Sequence, residues 1–318
     1  MRGQALALAG ALLWALAWPC AGAPKAGHGA ANTFSFGVIS HSFQSGPDET
    51  ELKRAIRETE QANLAFVVAT GIKGGAEACS DKLYAQRKSV LNQSRRPMIV
   101  ALAASDWCEC KNSMGRPVAI ERLSRLRDVF FGDTMSLGER KIELTRLSSN
   151  ATFRSYAENA HWEYGRVLFA TINLPADNNR FRPEAGRNGE FEDRLVANRA
   201  WLKRLFGMAQ RRKLDGLVLF SDGDVGVMRE ESGSLFSPQK HDGFAEIRHQ
   251  IRALAKKFPG KILLVDAQDG AKPAAQAIAW RDNLAHVSVS SNWAEIGVDA
   301  RSAPLFTLKG TQGERHGR

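Results

Sequence analysis

The chain has 318 residues, 43% of them apolar and 25% charged, with a formal net charge of +10. That balance excludes wholesale disorder and collagen-like or coiled-coil repetition, and the length suits one large domain or two ordinary ones with ample core. Four cysteines are too few for a disulfide scaffold, and seven histidines supply a metal site only if several converge.

Residues 1–23 place one Arg ahead of a long apolar run and end on the small-x-small triplet Ala21-Gly22-Ala23. They read as a secretory signal peptide cut after Ala23. No basic stop-transfer cluster follows, and Ala-Trp-Pro before Cys20 is not a lipobox. No later stretch reaches the roughly 20 apolar residues needed to span a bilayer. The expected organisation is a signal peptide at 1–23, one domain at 24–308 and a basic flexible tail at 309–318. The mature protein is expected in the periplasm or outside the cell, without a stable membrane anchor.

Export exposes the thiols to an oxidising compartment. Cys79, Cys108 and Cys110 remain after cleavage. Cys108 and Cys110 are too close in sequence for an unstrained bridge, so one of them pairs with Cys79. Cys79–Cys110 is the favoured bridge, leaving Cys108 free. The basic residues are dispersed and lack interleaved aromatics, which argues against a nucleic-acid partner.

In chain order, the pattern predicts a strand at 34–40 and a helix at 49–61, with Leu52 and Ile56 at helical spacing and Asp48 or Thr50 as cap. A strand at 64–70, a helix at 80–92 opened by Ser80-Asp81, a strand at 97–103 and a helix at 118–131 follow. After a less regular stretch come a strand at 166–173, a helix at 190–212, a strand at 215–220, a helix at 242–257 and a strand at 261–266. The segments 285–290, 293–299 and 304–308 read as short strands of an antiparallel meander. The stretches 111–117, 132–160 and 177–190 read as loops. Near-continuous apolar strands joined by helices imply a mainly parallel sheet covered on both faces. Ligands bind such sheets beyond the carboxyl ends of the strands.

Those ends carry Ser40-His41, Thr70-Gly71-Ile72-Lys73-Gly74-Gly75, Ser105-Asp106, Asn173 followed by Asn178-Asn179, Asp222-Gly223-Asp224, and Asp266 with Asp269. The order and flanks, including FSFGVIS, FVVATGIKGG, SDWCEC, ERLSRLRDVFF, the run Ala197 to Leu202 and NWAEIGVDARSAPLF, resemble the calcineurin-like metallophosphoesterase family, in an exported bacterial branch. The resemblance spans about residues 34–308. It implies an α/β fold: a four-layer αββα sandwich of the metallo-dependent phosphatase type, with mixed sheets and antiparallel C-terminal strands. It also implies two divalent metals held by Asp, His and Asn, with a bridging hydroxide attacking a phosphate ester.

The chain departs from that family at the ligands. The second strand should end in Gly-Asp, whose carboxylate bridges both metals, but Thr70-Gly71 runs into Ile72-Lys73. The third carries Ala104-Ser105-Asp106 in place of Gly-Asn-His. The late strand has Asp266-Ala267-Gln268-Asp269-Gly270 and no histidine. Only His41 lies at a strand end facing the expected cleft. His161 precedes an aromatic segment, His241 and His249 lie near or on a helix, and His286 opens a strand.

The expected function is therefore an exported metallophosphoesterase-like protein without two-metal hydrolysis, keeping a polar cleft for a ligand or partner and needing no cofactor. Its candidate residues are His41, Lys73, Asp106, Asn178, Asn179, Asp222 and Asp266. The alternative is an active phosphoesterase with a rebuilt divalent-metal site of Asp106, Asp222, Asp224, Asp266, Asp269 and His41. A third reading is a binding protein whose Lys73 and Gly74-Gly75 amides face a small anion; a protein is the other expected partner. Each residue also has a plainer role. Asp222 and Asp224 suit a turn, Asp266 and Asp269 a helix cap, and Asp106 and Lys73 a solvated loop.

Overall fold

A computed structural model describes residues 32–40, 49–184, 186, 188–230, 242–267, 277–289 and 292–312. The expected signal peptide, His41, Asp48 and Asp269 lie outside the described residues. Among those described, no helix is long and apolar enough to cross a membrane.

The strands are β1 (Thr33–Ile39), β2 (Val67–Thr70), β3 (Met98–Ala101), β4 (Thr145–Arg146), β5 (Ala160–Tyr164), β6 (Val167–Thr171), β7 (Gly216–Ser221), β8 (Lys261–Asp266), β9 (Ala279–Arg281), β10 (Leu284–Ser288), β11 (Trp293–Asp299) and β12 (Phe306–Gln312). The α-helices are α1 (Thr50–Gln61), α2 (Asp81–Asn92), α3 (Ala104–Trp107), α4 (Ala119–Phe130), α5 (Gly189–Arg211) and α6 (Ala245–Ala255). They build a five-stranded sheet in the order β12-β11-β1-β2-β3 and a seven-stranded sheet in the order β4-β5-β6-β7-β8-β10-β9.

Side-chain alternation makes the layers. Phe36, Val38, Phe66, Val68 and Ile99 point from the first sheet onto Phe169, Val218, Phe220 and Val265 of the second. Aromatic edges close this seam, with Phe66 and Phe169 ring centroids 4.9 Å apart and Phe36 and Phe169 5.3 Å apart. The opposite faces bury helices. Leu52, Ala55 and Ile56 of α1 and Leu123 and Leu126 of α4 cover Val67, Ala69, Met98 and Val100. Trp201, Leu202 and Leu205 of α5 and Ile247 and Ile251 of α6 cover Leu168, Leu217, Leu219 and Leu264. The result is the expected four-layer αββα sandwich with mixed sheets.

The pattern-based single sheet is thus corrected to two. A strand apolar on both faces is buried on both, but its own residues do not say whether a helix or another sheet covers the second face. The predicted terminal meander is also corrected. β11 and β12 pair antiparallel, but β10 lies parallel to β8 in the other sheet, so the chain changes sheet between β10 and β11. The loop expected at 132–160 contains β4 and part of β5, which extend the second sheet by antiparallel pairing. β12 continues to Gln312, into the segment expected as a flexible tail, because β11 offers a pairing edge for that length. Ser80 caps α2 as predicted, accepting the Leu83 amide at 3.2 Å, whereas α1 opens from Glu49 with no side-chain cap bond.

Candidate functional site

The carboxyl ends of β2 and β3 meet at Asp106, in the short helix α3. Gly71 follows β2 at φ +81°, and a Cβ there would stand 3.1 Å from that of Ala103. This turn aims the next amides at Asp106, whose Oδ1 accepts from Ile72 at 2.9 Å and Lys73 at 3.2 Å. Oδ2 accepts from Ala103 at 2.8 Å. Asp106 is fully buried, not solvated. Burial raises its pKa to about 6, against the pull of the amides and Lys73.

Lys73 is also buried, and its ammonium donates to the carbonyls of Gly74 and Ser105, both at 2.7 Å. Burial lowers its pKa, opposed by Asp106, Glu77 and Glu109. The Gly74 amide donates to Glu77 Oε2 at 2.7 Å. Of the anion-facing group expected at Lys73, Gly74 and Gly75, the Lys73 ammonium and the Gly74 amide instead spend their donors within the loop.

Asp222, one residue past β7, performs a similar task between the sheets. Its Oδ2 accepts the amides of Ala104 and Ala176, both at 2.7 Å. Burial raises its pKa to about 7, opposed by these amides and reinforced by Asp106 and Asp266. Asn178 and Asn179 have φ of 44° and 53°, a left-handed conformation that asparagine tolerates. Asn178 Oδ1 accepts the Gly243 amide at 3.0 Å, and Asn179 Nδ2 donates to the Gly243 carbonyl at 2.9 Å. Arg194, fully buried on α5, donates to the Asn179 carbonyl at 2.8 Å, the Asn173 carbonyl at 3.1 Å and Glu190 at 2.6 Å. The asparagine pair therefore fastens loops together.

Asp266, Asp224 and His286 come together on the helix-facing side of the second sheet. Parallel pairing sets His286 opposite Leu264 and Ser288 opposite Asp266, so His286 and Asp266 share a face. His286 Nε2 lies 2.5 Å from Asp266 Oδ2 and 3.7 Å from Asp224 Oδ1. Burial works against protonation of His286, but the Asp266 bond and the charges of Asp266 and Asp224 raise its pKa overall. Burial raises the pKa of Asp266, with His286 opposing. Asp224 Oδ1 accepts the Gly226 amide at 2.6 Å, the turn role expected of it. Asp266 bonds the imidazole, and the helix it was expected to cap would lie outside the described residues.

His286 is the residue that sequence reading missed. Its one local signal was the His-x-Ser spacing on a strand, which puts His286 and Ser288 on one face. Its nearness to Asp266 comes from pairing between β10 and β8. His161 is buried against Trp201, with ring centroids 5.5 Å apart.

Two divalent cations do not fit the described residues. Asp106 spends both carboxylate oxygens on amides, and Lys73 adds a buried cation nearby. Among the described residues, the group of His, Cys, Asp and Glu close enough to share an ion is Asp224, Asp266 and His286. Cys79 and Cys110 form a disulfide with Cα atoms 5.8 Å apart, and Cys108 is free and buried, as expected.

No protein-family model matches the chain. No curated protein matches it either. One solved structure, described as a novel phosphatase from Mycoplasma pneumoniae, is similar over 87% of this chain and 91% of its own, with 9% identity and a TM-score of 0.43. A likeness at that level carries no functional inference.

Proposed function

We propose that this chain is an exported protein on a phosphoesterase-like scaffold that does not carry out two-metal hydrolysis and serves to bind a small anionic ligand or a protein. The disposition of the strand-end carboxylates carries this reading. Asp106 and Asp222 are turned onto the amides of Ile72, Lys73, Ala103, Ala104 and Ala176. A carboxylate so engaged stabilises loops, since without it those amides would be left unpaired. The buried ammonium of Lys73 supports the reading further, since it opposes a second and third positive charge nearby.

Binding is supported by a cavity of about 470 Å³ at the amino ends of the first sheet, lined by Phe34 and Tyr164 with Arg96, Arg140 and Lys141. Arg96 donates to the carbonyls of Leu64 and Ala62 at 3.1 and 2.7 Å, which leaves Arg140 and Lys141 beside the two rings, a pair that suits a small anion with an apolar part.

The test is turnover of p-nitrophenyl phosphate and its bis-ester by the purified chain, with added manganese, zinc or iron. The expected result is no metal-dependent hydrolysis. Two equivalents of metal together with metal-dependent turnover would overturn the reading in favour of the rebuilt hydrolase. Export is tested by N-terminal sequencing of the secreted fraction, which should begin at Pro24.

A further inference from the structure

We propose that Asp224, Asp266 and His286 form a site for a single first-row divalent cation, zinc or manganese, at the carboxyl edge of the seven-stranded sheet. Three adjacent strands supply it. Asp224 follows β7, Asp266 ends β8 and His286 lies in β10. One donor atom from each lies within 4.8 Å of the others.

A second observation points to a cation. The Asp266 side chain is 2% exposed, and its Oδ1 is buried with no hydrogen-bond partner. An unmatched carboxylate oxygen at such depth is costly. His286 serves only Oδ2, Ser288 also gives the Asp266 carboxylate a side-chain hydrogen bond but leaves Oδ1 unmatched, and the guanidinium of Arg229 reaches Asp224 Oδ2 at 3.3 Å, not Asp266. A divalent ion among the three donors would answer the two carboxylates and take the place of the proton shared by Asp266 and His286, releasing that proton to solvent.

The donor set selects the ion. One imidazole nitrogen with two carboxylate oxygens suits zinc or manganese, whereas calcium and magnesium favour all-oxygen sites. Three protein donors leave a position open for water or a ligand atom. The donors are prearranged: sheet pairing places His286 and Asp266, and the Gly226 amide holds Asp224. The site needs neither a second metal nor hydrolysis, so it stands apart from the function proposed above.

The test is equilibrium dialysis of the EDTA-stripped full chain against zinc or manganese, with bound metal measured by mass spectrometry and the thermal midpoint followed in parallel. The expected result is one equivalent in the wild type and a rise in midpoint with metal. Asp224→Asn and His286→Gln should each weaken binding at least about tenfold. His249→Gln, an exposed histidine on α6, should bind as wild type. Asp224→Asn retains an acceptor for the Gly226 amide, so it keeps the test decisive should His286→Gln fold poorly. No bound metal in the wild type, or wild-type binding in Asp224→Asn, would overturn the proposal. Either result would leave the absence of phosphoesterase turnover untouched.

Discussion

Asp222 accepts the backbone amide of Ala104 at 2.7 Å across a separation of 118 residues, joining the loop after β7 in one sheet to the start of α3 beside the other. The same oxygen holds Ala176, so one carboxylate secures two loops at the end of the sandwich. Asp222→Ala should leave two amides unpaired and lower stability by about 2–4 kcal/mol. Urea unfolding measures this, and an unchanged midpoint would remove the carboxylate from its structural role.

His161 sets an acid limit. It is buried with both ring nitrogens unpartnered, and burial, aided by Arg204 and Arg212, lowers its pKa to about 4. The folded state therefore holds the ring neutral, while the unfolded chain takes up a proton near pH 6.5. The associated stability is present above pH 6.5 and is lost as pH falls toward 4, with a slope of up to about 1.4 kcal/mol per pH unit. His161→Phe, which keeps a ring against Trp201, should flatten that acid limb. An identical pH profile in the variant would refute the assignment.

Asp106 acts in the opposite sense. Its pKa of about 6 lies above the usual 3.8, so the folded state holds its proton more tightly than the unfolded chain. Its contribution is full below pH 3.8 and is lost as pH rises through about 6. Carbon-13 NMR of the aspartate carboxyls should find one titrating near pH 6 that vanishes in Asp106→Asn. Titration of that signal below pH 4 would contradict the burial argument.

The Cys79–Cys110 bridge closes a separation of 31 residues spanning α2, β3 and α3. Chain-entropy reasoning gives a contribution of about 3–4 kcal/mol for a loop of that size. Cys79→Ser with Cys110→Ser should lower the denaturation free energy by that order. A double variant as stable as the oxidised protein would show that the bridge adds nothing.

Arg194 is buried among Glu190, Asn173 and Asn179, and its guanidinium lies 5.7 Å from the Trp107 ring centroid. Arg194→Leu would remove a buried donor from Glu190 and from the carbonyls of Asn173 and Asn179, leaving, among the described residues, Glu190 only Arg180 at 3.3 Å and the Asn173 carbonyl only Asn198 at 2.9 Å. A loss of about 3–5 kcal/mol is expected, as for a broken buried pair. Arg194→Lys should recover only part of this, because an ammonium lacks the planar fork that reaches all three partners.

By itself the sequence determined where most strands and helices run, because the alternation of apolar residues is written locally. Strand 261–266 and helix 118–131 were legible in this way; cysteine spacing showed that Cys79 pairs with Cys108 or Cys110 and favoured the Cys110 bridge that the fold makes. Tertiary structure alone decided that the second face of each strand meets another sheet, since a two-sided apolar strand carries no mark of its cover. It also decided what the strand-end carboxylates do. Asp106 and Asp222 are amide anchors because the turn at Gly71 and the approach of α3 bring those amides to them. Asp266 meets His286 only because β8 and β10 pair in parallel with a fixed register. The seven histidines at the outset left a metal site open; among the described residues, the histidine placed beside Asp266 and Asp224 is His286, in a strand whose neighbours are chosen by long-range pairing.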